Sequence, residues 1–232
     1  MLAGQPAAKV SNGAGGCTTS NQPYHISREN VDYTFWDTAG LNEGQEGNVP
    51  KEALPNLLKL VNKHGVNLVI YCIRGRLVDI VRINYDLFWG VICRKGIPIV
   101  LVVTGLELEH DMDEWWKANR KTVAKMHMAF HEYACVTTTR GRRDAYRKEY
   151  EESAQKVWGL VREHCGTQSW HMTPAQFIEA PKRMEEYMTR YNQGRKAWWK
   201  FIPDSVRSLL PWDRNRPLGD KPPMVCTFKP SS

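Results

Sequence analysis

Asp37 and Gly40, in the run 31–41 (V-D-Y-T-F-W-D-T-A-G-L), are three residues apart at a spacing that suits phosphate chemistry. A carboxylate leaving a strand can hold Mg²⁺, directly or through water. A glycine just beyond it can bring its bare N–H to a terminal phosphate. Thr18 and Thr19, at the end of the Gly-rich run 13–19, could add a hydroxyl to the same metal. D-x-x-G alone is a common strand-to-turn sequence, so its meaning depends on what other loops lie beside it.

The elements that must position these residues follow from hydrophobic periodicity. Val31, Tyr33 and Phe35 alternate with Asp32 and Thr34, which predicts a half-buried strand over 31–36, with a short strand before it near 23–26. Leu54, Leu57, Leu58 and Val61 fall at helical spacing after Pro50, and Gly65 should stop that helix. The nearly unbroken apolar runs 66–73 and 97–103 suit strands covered on both faces. A helix is expected over 78–93, ending at Gly96, and another through about residue 126, opened by a capping box of Asp111 and Glu114. A last strand (133–138) and a long helix (144–164) complete the pattern. Such alternation predicts an α/β fold, a three-layer sandwich with a mostly parallel sheet. Ligands in that fold bind beyond the carboxyl ends of the strands. Three polar loops occupy those ends: 37–40, 104–107 and 137–141.

Composition narrows the class. With 42% hydrophobic and 25% charged residues in a chain of 232, there is material for one core and an appendage. The absence of a long apolar run or a signal-like start points to a cytoplasmic protein. Six scattered cysteines, three of them (72, 93, 135) in apolar runs, suit reduced buried thiols and neither zinc nor disulfides. Residues 1–139 are charge-balanced, so the net charge of +7 lies in the last third. A basic tail is the footprint of an anionic partner, or a solvated helical face.

On the motifs D-T-A-G, C-I-R-G, V-V-T-G-L-E and C-V-T-T-T, the chain resembles a P-loop GTPase G domain over about residues 1–164. It is most similar to the fungal G-domain proteins related to septin-like, Toc and immunity-associated GTPases. The resemblance implies a guanine-nucleotide-binding switch that hydrolyses GTP with Mg²⁺, with no nucleic-acid partner and with scope for G-domain dimerisation. Thr18, or alternatively Thr19, and Asp37 would serve the metal and Gly40 the γ-phosphate. Thr104 and Glu107 would read guanine, the carboxylate accepting from N1 and N2, and Thr137 and Thr138 would lie near the base. No catalytic residue transfers, because Leu41 stands where Ras-like proteins place their water-orienting Gln. Gly105 replaces the lysine whose stem covers the base in the family.

No G-x-x-x-x-G-K-[ST] occurs, so the resemblance predicts a G domain lacking its first strand and phosphate loop, with residues 1–4 standing at the end of the helix that follows such a loop. The missing strand belongs between 31–36 and 66–73, whose ladders should then be unpaired. The intact form is expected to be the GTPase. The alternative is a pseudo-G domain that only binds a protein or membrane. Residues 165–212 form a basic, Trp-rich extension: Thr173, Pro174 and Gln176 start a helix to about residue 191, interrupted at 192–194. Residues 196–212 mix Trp, Phe and Leu with Lys and Arg in the manner of a peripheral contact with an anionic membrane, or of a strap packed on the domain. A disordered Pro-rich tail is expected over 213–232.

Overall fold

Two short runs with no polar interruption, Leu68–Ile73 (β3) and Ile99–Val103 (β4), have every residue buried and lie side by side inside the sheet. The computed structural model describes residues 1–2, 21–38, 53–199 and 224–229. Ahead of β3 come Gln22–Arg28 (β1), Val31–Asp37 (β2) and the helix Ala53–His64 (α1). After β3, a helix begins as Asp79–Tyr85 (α2) and continues π-wound over Asp86–Ile92, its end marked by the i→i−5 bond from Cys93 N–H to Phe88 C=O (2.9 Å). Then follow β4, Glu114–Lys125 (α3), Glu132–Cys135 (β5), Arg147–His164 (α4), Pro174–Trp199 (α5) and Met224–Lys229 (β6).

The six strands are ordered β1-β2-β6-β3-β4-β5. β3, β4 and β5 pair in parallel, whereas β1–β2, β2–β6 and β6–β3 are antiparallel. The expected mostly parallel sheet is thus mixed in its ladders. Two successive antiparallel steps nevertheless leave β2 pointing the same way as β3, β4 and β5. Their four carboxyl ends therefore share one edge of the sheet.

β6 overturns two expectations. The tail is not irregular throughout, and the gap between β2 and β3 is filled. Met224–Lys229 pairs with β2 from Asp37↔Met224 to Asp32↔Lys229, and with β3 through Leu68↔Cys226, Val69↔Val225 and Ile70↔Met224. The physical reason is ladder satisfaction: backbone groups on two facing strand edges cost on the order of 1–3 kcal/mol each if buried unpaired, and any extended segment that reaches them removes that cost.

Helices cover both faces. Val69, Tyr71, Ile73, Leu101 and Val103 face a core with α1, α2, α3 and α5, while Leu68, Ile70, Cys72, Val100 and Val102 face α4. Met1 and Leu2 pack on the α4 face as well. This is an α/β sandwich with a three-stranded parallel block, compatible with a P-loop-like architecture.

Local chemistry explains most boundaries. The β1–β2 hairpin turns through Glu29 (φ 54°) and Asn30 (φ 60°), the two positive φ values of a type I′ turn. Gly65 (φ 70°) ends α1, its N–H bonded to Val61 C=O (3.0 Å), as its position predicts. At α5 the expected reciprocal cap is present: Thr173 N–H donates to Gln176 Oε1 (2.8 Å) and Gln176 N–H to Thr173 Oγ1 (3.2 Å). The capping box at α3 does not form. Asp111 Oδ1 instead accepts from Asp113 N–H (2.9 Å), and Glu114 pairs with Lys117 (2.7 Å). α5 runs unbroken through 192–194 to Trp199, despite Pro181 inside it. Most of the Trp-rich segment 196–212 lies outside the described residues.

Candidate functional site

The shared edge of the sheet brings the predicted loops together. Asp37 ends β2, Arg74–Gly75 follow β3, Thr104–Glu107 follow β4, and Val136–Gly141 follow β5. Between β2 and β4 lie three strand spacings, about 14 Å, a distance on the scale of one nucleotide.

The β3 and β4 loops are tied to one another. Thr104 donates to Ile73 C=O twice, from its N–H (2.8 Å) and from its hydroxyl (3.2 Å), and Trp115 Nε1–H, at the start of α3, donates to Gly75 C=O (2.9 Å). Thr104 is 8% exposed, and its hydroxyl is spent on holding the loop. Gly105 has φ 77°, and a Cβ there would lie 3.0 Å from Arg74 Cγ. The sequence carries no lysine at 105, and in its place the stem of Arg74, from the neighbouring loop, lies against the glycine. Arg74 is a site residue that sequence reasoning missed, since nothing in C-I-R-G announces that its side chain folds back on the β4 loop. Glu107 is half-buried and, among the described residues, its carboxylate has no ion-pair or hydrogen-bond partner.

The β5 loop is built from its own threonines. Thr137 is fully buried. Its N–H donates to Ser153 Oγ of α4 (3.1 Å), its hydroxyl to Thr139 C=O (3.2 Å), and it accepts from Thr139 N–H (3.3 Å). Thr139 Oγ1 accepts from Gly141 N–H (3.0 Å), and Tyr146 N–H closes the loop onto Arg140 C=O (2.8 Å). Thr137 therefore shapes the loop, and Thr138 is the exposed threonine beside it. Ser153 is a positioning residue that periodicity could mark only as a small buried place on α4. Burial raises the Cys135 thiol at the end of β5 to about 11, which keeps it protonated and unreactive at neutral pH.

At the end of β2, Asp37 is half-buried, beside the buried Thr38. Thr18 and Gly40 lie outside the described residues. Among the described residues there is no group of three or more potential metal-ligating side chains. That arrangement still fits Mg²⁺, which takes one or two carboxylates and draws its remaining ligands from water and phosphate. Asp37 is the residue that would hold it.

No protein-family model and no curated protein matches this chain. No described helix is long and apolar enough to cross a membrane.

Proposed function

We propose that this chain is a G-domain-type protein that recognises guanine nucleotides at the carboxyl ends of β2, β4 and β5. The observation that carries the reading is Glu107: a half-buried carboxylate, unpartnered among the described residues, beside a pinned Thr104–Gly105 turn, with the Thr137–Gly141 loop alongside. A carboxylate at such a place accepts two hydrogen bonds from N1–H and N2–H of guanine, whereas adenine presents no matching pair of donors. Asp37 would hold Mg²⁺, whose chemistry is to neutralise phosphate charge. Hydrolysis of GTP belongs, on this proposal, to a form in which a phosphate loop reaches the site.

β6 favours a second reading for the chain with its sheet arranged as described. The strand occupies the position that the resemblance gives to the phosphate-loop strand, and it runs antiparallel to β2 and β3. A domain held that way would be a nucleotide-free pseudo-G domain, a module that binds a protein or membrane partner without turnover.

Calorimetric titration with GDP and ADP in Mg²⁺ tests the first reading. GDP should bind the more tightly. Glu107→Gln should cost about 1.5–3 kcal/mol in GDP affinity and leave ADP little changed. Equal losses for both nucleotides would mean that Glu107 supports the fold and does not read the base.

A further inference from the structure

β1 closes one end of the sheet and β5 the other. β5 is only four residues long, and a short edge strand gives little to pair with. β1 is seven residues long, and among the described residues it pairs with β2 alone, so its outer edge stands open.

The hairpin register decides which backbone groups face outward. Across the two-residue turn Glu29–Asn30, Arg28↔Val31 must be a hydrogen-bonded pair, and by alternation so are Ile26↔Tyr33, Tyr24↔Phe35 and Gln22↔Asp37. The N–H and C=O groups of His25 and Ser27 therefore point away from β2, and among the described residues nothing bonds them. Pro23 has the same outward parity, where its missing N–H costs the β1–β2 ladder nothing. Side chains alternate as well. Tyr24 and Ile26 are half-buried on the α4 face, and the Arg28 guanidinium lies over the Trp158 ring there, 4.7 Å from its centroid.

We propose that β1 pairs antiparallel with β1 of a second copy of this chain, about a two-fold axis at Ile26. Self-complementarity is what commits the edge to its own copy. In that register His25 stands opposite Ser27 of the second copy, and Ser27 opposite its His25. Four hydrogen bonds then use every outward N–H and C=O of these residues. The register centred on His25 instead sets Ser27 C=O against Pro23, which has no donor, and places the two His25 side chains opposite each other. About the Ile26 axis the α4-face side chains match too. Ile26 meets Ile26 in a closely spaced, non-hydrogen-bonded pair, and each Tyr24 ring meets the Arg28 guanidinium of the other copy. Arg28 thereby gains a second aromatic neighbour beside Trp158. β1 carries no lysine to block such an approach. A contact one strand wide is small among specific interfaces, so the dimer is weak and forms as concentration rises.

The test is sedimentation equilibrium of the whole chain over a range of concentrations, with NMR on a mixture of isotope-labelled and unlabelled chain. The mass should rise from that of one chain toward that of two, and an intermolecular NOE should join the Hα protons of the two Ile26 residues. The amides of His25 and Ser27 should gain exchange protection as the dimer forms. Ser27→Pro removes an outward N–H and takes no donor from the β2 ladder, so it should raise the dimer dissociation constant at least tenfold. Arg28→Gln, which keeps the strand and loses the cation, should raise it several-fold, and Lys121→Gln on α3 should leave it unchanged. A mass that stays that of one chain at every concentration would overturn the proposal. So would a dimer without the Ile26 contact. Protection of His25 and Ser27 that does not vary with concentration would also overturn it, since another segment of the same chain would then cover the edge.

Discussion

The parallel strands β3, β4 and β5 and the antiparallel-paired strands β1, β2 and β6 share one sheet, yet they are held in different ways. β3 and β4 are buried along their whole length between helices, so their placement rests on apolar burial, about 25 cal/mol for each Å² removed from water. β1 has no buried residue, and β2 has only Phe35. That half depends on its ladders: seven register pairs between β1 and β2, six between β2 and β6. The loops reflect the difference. Those after β3, β4 and β5 are pinned by Thr104, Trp115 and Ser153, while Asp37 takes its place from a strand whose inner neighbour comes from the far end of the chain. The base-reading side of the proposed site is thereby preorganised by packing, and the phosphate side by a long-range pairing.

The largest effect should come from breaking that pairing. Deleting residues 224–232 removes the partners of β2 and β3 at once, and several unsatisfied backbone groups at about 1–3 kcal/mol each rival the 5–15 kcal/mol stability of a typical domain. Hydrogen exchange should show the amides of β1 and β2 losing protection first, with β4 and β5 keeping theirs. Unchanged protection of β2 would mean that β6 does not pair there.

The sequence made one half of this comparison legible and hid the other. The unbroken apolar runs of β3 and β4 and the alternation in β2 state their own environments, because burial is written in residue type. β6 depends on partners more than 150 residues away, and its only local signal is a β-favouring run, V-C-T-F, flanked by Pro222-Pro223 and Pro230. The expected break of α5 at Asn192–Gly194 is absent for a related reason: one glycine costs a helix only about 1 kcal/mol, less than a long helix can absorb. Within the site, Asp37, Thr104 and Glu107 fall on the shared edge because strand ends are predictable. The burial of Thr137 and the stem of Arg74 over Gly105 arise from tertiary contacts that no spacing encodes.

An alkaline titration separates the halves by a second route. The Cys135 thiol ionises at about 11 in the fold, because burial disfavours the thiolate, and near 9 when unfolded. The unfolded chain therefore loses its proton first. The contribution of this thiol is full below about pH 9 and falls by roughly 2–3 kcal/mol as pH rises to about 11. Cys135→Ala should lessen that loss in a urea-midpoint profile without abolishing it, because burial raises the Cys93 thiol further still, and an unaltered profile would place the alkaline loss elsewhere.

A smaller effect probes the turn itself. Gly105→Ala puts a Cβ at φ 77° and 3.0 Å from Arg74 Cγ, so the Arg74 stem must shift. The expected cost is about 1–2 kcal/mol, read by denaturant unfolding. No change would show that the β4 loop relaxes freely and is less fixed than its hydrogen bonds imply.

The most direct test of guanine recognition at a packed base side is an amide NMR map of the whole chain titrated with GDP and, separately, ADP. Recognition at that side predicts GDP-specific shifts at Gly105, Glu107 and Thr138, lost in Glu107→Gln, with ADP leaving these amides in place. Equal shifts from both nucleotides, or GDP shifts that avoid the 104–107 and 137–141 loops, would contradict it.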